Sequence, residues 1–218
     1  MTIYMQKLSI DLSKITTVIK DAIDQNLYTP RAPFHLLARS YFEQDPSGES
    51  VPESVMTKEQ AREFAERLRR SDELYGSKCK FKQYDIDPDI KEKIMSLLPD
   101  TLKDQTIELT LQICRDGDYL IPHTDHLRKS SFFIVLSEPD MITRFYKKIV
   151  DFNEYHFLKY ANPDHLEQVF EENLEQDKWY LFNQLEFHSS HKTKDTVNRI
   201  TFCIEFTNLT AEEVAALL

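Results

Sequence analysis

Residues 107–125, IELTLQICRDGDYLIPHTD, decide the fold. Ile107, Leu109, Leu111 and Ile113 alternate with Glu108, Thr110 and Gln112, a period of two that gives a strand one apolar and one polar face. Asp116-Gly117-Asp118 has the composition of a hairpin turn, so Tyr119 to His123 is expected to form the returning arm. That arm ends in His123-Thr124-Asp125. Residues two apart on an extended chain point to the same side, which lets this imidazole and this carboxylate converge on one ion, with Tyr119 and Ile121 on their face.

Further strands are expected downstream at 131–136 (SFFIVL), 142–146 (ITRFY), 178–182 (KWYLF) and 199–206 (RITFCIEF), with a helix over DHLEQVFEENLEQ, 164–176, between them. Upstream the period changes. Ile15, Val18, Ile19, Ala22 and Ile23 mark an amphipathic helix over 11–25 behind a possible Asp11 cap. Thr57 and Gln60 form a capping box that opens a second helix through about Leu74, turning Phe64, Ala65 and Leu68 inward, and a third helix is expected over 89–98. QDPSGESVPES, 44–54, reads as a mobile surface loop long enough to act as a lid. Thr210 and Glu213 form another capping box at the start of a C-terminal helix. Helices followed by short strands argue for α+β. We expect one domain over 1–218: a mainly helical N-terminal layer (1–104), a sheet core (105–207) and a C-terminal helix (208–218).

Composition narrows the chemistry. Lysine and arginine total 27 against 37 acidic residues, a formal charge of −10 that disfavours nucleic acid as a partner. No stretch approaches the roughly 18 apolar residues of a membrane span, so the expectation is a soluble, cytoplasmic protein with no membrane partner. Cys79, Cys114 and Cys203 are too scattered for a disulfide framework or a cysteine zinc site. With Gly48, Gly76 and Gly117 the only glycines, neither the dinucleotide fingerprint nor the phosphate loop is present.

The constellation around His123 and Asp125 extends into WYLFNQLEFHSSHKTKDTVNRITFCIEF, with His188 in its middle and Arg199 beyond. Two histidines and one carboxylate on one face of an octahedral ion leave three positions open, the ligand set of non-haem iron(II) oxygenases. Phe182-Asn183, then Phe187-His188-Ser189, a polar turn and Arg199-Ile200-Thr201 resemble the C-terminal half of the iron(II)- and 2-oxoglutarate-dependent oxygenases. The resemblance spans roughly 105–207 and is strongest to the prolyl-hydroxylase-type and free-amino-acid-hydroxylase branches; residues 1–104 carry none.

The resemblance implies a double-stranded β-helix, a cupin-like jelly roll with the N-terminal helices packed on its sheet. It makes His123, Asp125 and His188 the iron ligands. Arg199 becomes the partner of the distal carboxylate of 2-oxoglutarate, with Thr201 and Tyr119 as further donors to that cosubstrate. It also implies O2 as oxidant, ascorbate as a stimulant, and hydroxylation or desaturation rather than halogenation, since halogenating relatives lack the carboxylate that Asp125 supplies.

His191 stands three residues after His188 and competes with it as third ligand; His188 is favoured by its spacing to Arg199. Strand alternation points His126 away from the ion. Glu138-Pro139-Asp140-Met141 replaces a Gly-Gly pair found in many relatives, and the acidic 147–177 insertion is either a solvated face or one wall of the substrate site. Arg128 and Arg144 are candidates for a substrate carboxylate. The expected substrate is an amino acid or similar small metabolite; the alternatives are a peptide or protein side chain such as proline, and a non-catalytic metal- or ligand-binding barrel.

Overall fold

The computed structural model describes residues 2–31, 41–42, 44–75, 80–105, 107–115, 119–125, 128–137, 141–152, 161–192 and 198–218. The N-terminal part supplies strands β1 (Met5–Lys7), β2 (Tyr28–Arg31) and β3 (Lys80–Ile86), with helices α1 (Ser13–Asp24), α2 (Lys58–Tyr75), α3 (Pro88–Leu97) and α4 (Asp100–Lys103). There follow β4 (Ile107–Arg115), β5 (Tyr119–His123), β6 (Ser130–Val135) and β7 (Met141–Lys148). After a 3-10 turn at Pro163–His165 come β8 (Leu166–Asn173), β9 (Trp179–Asn183), β10 (Phe187–Lys192), β11 (Asn198–Phe206) and helix α5 (Ala211–Leu217).

From β4 onward the strands divide between two antiparallel sheets. One has the order β1-β9-β6-β11-β4-β3-β2, the other β5-β10-β7-β8. Strands β4, β6, β9 and β11 thus face β5, β7, β8 and β10, which is the jelly roll, or double-stranded β-helix. The α+β expectation holds.

The alternation in 107–113 has two consequences. Its apolar members face the helices: Leu109, Leu111, Phe132, Ile134, Leu181, Phe202 and Phe206 form one core with Ile15, Ile19, Ile94 and Val214. Phe133, Phe145, Tyr180, Phe182 and Cys203 fill the gap between the sheets. Beside them the inward face of β4 and β11 carries buried polar residues, Thr110, Gln112, Thr201 and Glu205, which an inert sandwich does not need.

Both capping boxes form. Gln60 N donates to Thr57 Oγ1 at 3.2 Å while Thr57 N donates to Gln60 Oε1 at 2.9 Å. Glu213 N donates to Thr210 Oγ1 at 3.2 Å and Thr210 N to Glu213 Oε2 at 2.8 Å, so α5 is fixed where Val214 seals the outer core. Thr210→Ala is expected to cost about 1 kcal/mol, read as a lower urea midpoint at unchanged slope. Asp11 contributes as well, accepting from Ser13 N at 2.9 Å.

One expectation needs an addition and two need correction. The 1–104 segment is more than a helical layer, because β1 pairs with β9 and β3 with β4, and β2 extends the sheet as an edge strand. β1 and β2 are short, and Pro30 in β2 and the inward Gln83 in β3 interrupt any clean alternation. The expected helix at 164–176 is instead the 3-10 turn followed by β8, which pairs with β7. Phe145 pairs with Phe170 but Tyr146 with Gln168, so Val169 is an extra, bulged residue. The bulge brings consecutive Val169 and Phe170 to the core, and with Leu166 they mimic helical spacing.

Lastly, the 44–54 segment is tied down. Asp45 accepts from Ser47 N at 3.0 Å and Ser50 N at 2.7 Å, and Val51 is fully buried with Phe42 and Phe64. Gly48, at φ 76°, is the residue this turn requires, since a Cβ there would meet Phe42 at 2.8 Å and the Ala61 carbonyl oxygen at 2.9 Å.

Candidate metal centre

Pairing of β5 with β10 sets His123 directly opposite His188, with ring centroids 4.4 Å apart. Asp125 follows the end of β5 and is fixed through its backbone, its N–H donating to Gln184 O at 3.0 Å. Gln184 is held in turn: its N–H donates to Lys129 O at 3.0 Å and its side-chain amide to Ser131 Oγ at 2.7 Å. The turn between β9 and β10 therefore clasps the segment after β5. One ligand atom from each of His123, Asp125 and His188 lies within 4.8 Å of the other two, the triad expected from the sequence.

The protonation pattern within the triad suits a cation. His188 Nδ1 lies 2.9 Å from the carbonyl oxygen of Glu186, which can only accept, so the proton is on Nδ1 and Nε2 presents a lone pair. That Nε2 is 3.6 Å from Asp125 Oδ2, beyond hydrogen-bond length. Oδ2 is buried and has no hydrogen-bond partner among the described residues. Burial, reinforced by neighbouring His123, pushes the His188 imidazole down to about 3, so no proton is shared with the carboxylate. Burial alone would raise the Asp125 carboxyl, but the Arg128 guanidinium, with His188 and His123, holds it below the ordinary carboxylate range. An ionised oxygen and an imidazole lone pair thus face each other in a dry site. A divalent ion between them would turn that repulsion into coordination, and the nitrogen and oxygen donors fit iron(II).

Arg128 is not placed for a substrate. With 14% of its side chain exposed, it donates to Asp125 Oδ1 at 2.9 Å and is also bonded to Glu205. Arg144 faces the other way, because His188 pairs with Phe145 and Arg144 pairs with Ser189 on the outer side, where it meets Glu171 at 2.7 Å. His191 shares that outer side. Its Nε2 is 2.6 Å from Ser189 Oγ and 3.2 Å from Tyr146 OH, and alternation from His188 removes it from the triad.

Arg199 enters the space between the sheets. It is 8% exposed, stacks over Phe133 with 5.2 Å to the ring centroid, and donates to Ser190 Oγ at 2.7 Å, two residues along β10 from His188. Thr201 is buried on the same side and donates to Gln112 Oε1 at 3.2 Å. For Tyr119 the backbone alone is described, paired with His191. His188 pairs with His123 and Ser190 with Leu120, so β5 holds one extra residue, and the alternation that would keep Tyr119 in step with His123 is broken. His126 and residues 138–140 lie outside the described residues, as do 153–160 within the 147–177 insertion. Glu205, Gln184 and Glu186 belong to the site as well; only Glu205 carries a signal in the sequence, a charge in an apolar strand two steps of parity from Thr201.

No family model matches the chain, and no curated protein matches it. Solved structures do. The ribosomal oxygenase YcfD of Escherichia coli, in complex with cobalt and 2-oxoglutarate, is 16% identical over 58% of this chain and 29% of that one, with a TM-score of 0.35. Vicilin from hazelnut is 11% identical over 58% and 30%, at 0.36. An oxalate oxidase with the substrate analogue glycolate is 10% identical over 52% and 48%, at 0.33. The chain spans about a third of the YcfD and vicilin chains. Among the described residues no helix is long and apolar enough to cross a membrane.

Proposed function

We propose that the chain is an iron(II)- and 2-oxoglutarate-dependent oxygenase that hydroxylates an unactivated C–H bond of an amino acid or related small metabolite. The observation that carries this reading is the triad itself, with Asp125 Oδ2, which has no hydrogen-bond partner among the described residues, 3.6 Å from the Nε2 of buried His188. His123, Asp125 and His188 would hold the ion. Once bound with 2-oxoglutarate and O2, iron supplies the oxidative decarboxylation to succinate and carbon dioxide that is coupled to insertion of one oxygen atom into the substrate.

The chain's own groups prepare that chemistry. The Glu186 carbonyl fixes the His188 tautomer, and Phe182 and Phe145, with centroids 4.9 and 5.8 Å from its ring, keep water from it. Arg199 brings a permanent positive charge to Ser190, two residues along β10 from His188, where its planar fork can grip a carboxylate bidentately. Thr201 and Gln112 line the same wall. The acidic surface favours small or basic substrates over polyanions.

The test is to incubate the purified protein with iron(II), ascorbate, 2-oxoglutarate and an amino-acid pool, measuring succinate and scanning the pool by mass spectrometry for gain of one oxygen. Succinate with an oxidised metabolite is expected. Oxygen gained only in a peptide library would move the substrate to a protein side chain; no succinate with any substrate would leave a non-catalytic barrel. Arg199→Ala is expected to raise the KM for 2-oxoglutarate about tenfold or more, with Arg199→Lys failing to restore it because an ammonium lacks the bidentate fork.

A further inference from the structure

Behind the triad runs a second line of charges that metal ligation alone does not require. Asp125 Oδ1 accepts from Arg128 Nη2 at 2.9 Å, and Arg128 Nη1 donates to Glu205, whose side chain also bonds to Thr110. Thr110 Oγ1 in turn accepts from Arg31 Nη1 at 3.3 Å, and Arg31 reaches Glu108 at 2.9 Å near the surface. Arg128 has 14% of its side chain exposed, Asp125 13% and Glu205 6%, so three charged groups share a space from which water is largely excluded.

Resting on the reading above, we infer that Glu205 is a positioning residue for the metal site, acting through Arg128 on Asp125. Two effects follow from its place. By holding the second guanidinium nitrogen, it keeps Arg128 on Oδ1 alone, so that Oδ2 stays turned toward His188 and the carboxylate offers one oxygen rather than two. It is also the carboxyl that, when ionised, offsets Arg128 and leaves Asp125 its charge for the ion; burial raises it, and the Arg128 guanidinium beside it opposes that rise. Glu205 stands on β11, the strand that carries Arg199 at its other end, so one strand serves both the metal and the cosubstrate wall.

Mn(II) alone serves as the probe, titrated into metal-stripped full-length protein. Glu205→Gln keeps the shape and leaves Arg128 paired with Asp125, so the fold is expected to survive. The expected result is Mn(II) affinity at least about tenfold weaker than in the unsubstituted protein, in line with loss of a group supporting a ligand. The affinity for 2-oxoglutarate at saturating Mn(II) should stay within twofold, whereas general loosening of the barrel would weaken both. Glu205→Asp, charged but one methylene shorter, should fall between. Should Glu205→Gln fail to fold, Thr110→Val decides, with weakened Mn(II) binding expected. Equal Mn(II) binding by the unsubstituted and folded substituted proteins overturns the inference alone. Absence of Mn(II) binding by the unsubstituted protein overturns both it and the proposed function.

Discussion

Replacing Asp125 with alanine is expected to reduce succinate formation by at least roughly 100-fold and to strip the protein of stoichiometric divalent metal. Asp125 is the only anionic donor of the triad, so its loss removes the charge that compensates a divalent ion as well as one bond to it. The fold should tolerate the change. Arg128 keeps Glu205 as its partner, so no guanidinium is stranded, and the unpaired, buried Oδ2 disappears with the side chain. The metal-free variant should therefore unfold at or above the temperature of the metal-free parent, while the parent alone gains stability on adding Mn(II) or iron(II). Turnover within tenfold of the parent, with metal retained, would refute the ligand assignment. Asp125→Asn separates charge from shape, and near-complete loss there would show that the charge dominates.

Acid is expected to destabilise the protein over a defined window through His191, which lies outside the triad. Burial, with Arg144 beside it, lowers its imidazole to about 4 from an ordinary 6.5. Between those values the unfolded chain holds a proton that the native state does not, so stability rises with pH across the window; it is fully present above about 6.5 and lost as pH falls toward about 4. The loss attributable to this group is about 2–3 kcal/mol by pH 4.5; because His188, lowered to about 3, titrates on unfolding over the same window, the difference between parent and His191→Gln in urea stability lost from pH 7 to 4.5 measures it. His191→Gln should be less stable at pH 7, where contacts with Ser189 and Tyr146 are weakened, and should lose less than the parent on acidification. A variant as acid-sensitive as the parent would show that the proton is taken up elsewhere.

Much of the barrel was legible because its strands carry strong period-two signals. Ile107 to Ile113 pack one face into the helical core while Thr110 and Gln112 turn inward, and both capping boxes sit where the residue types demand. What escaped is what depends on pairing partners. Val169 and Phe170 look helical until β7 defines a bulge, and the extra residue in β5 dislodges Tyr119 from the register that alternation gives it. That His123, Asp125 and His188 come together was legible, since His123 and Asp125 are neighbours and His188 keeps its distance from Arg199. The choice of His188 over His191 became physical only with strand parity. Arg128, expected to meet substrate, is turned inward by two carboxylates, of which the buried one, Glu205, lies far along the chain.

Each barrel sheet receives an interior strand late in the chain: β11 inserts between β4 and β6, and β10 between β5 and β7. Strands made earlier must therefore wait, with unsatisfied edges, for partners that lie far downstream. Such non-local pairing is the slow kind, and it exposes open edges while it lasts. It also dates the proposed metal site. His123 and Asp125 are in hand early, but they meet His188 only when β10 closes the smaller sheet, so a fully coordinated ion can stabilise the finished barrel and cannot template it.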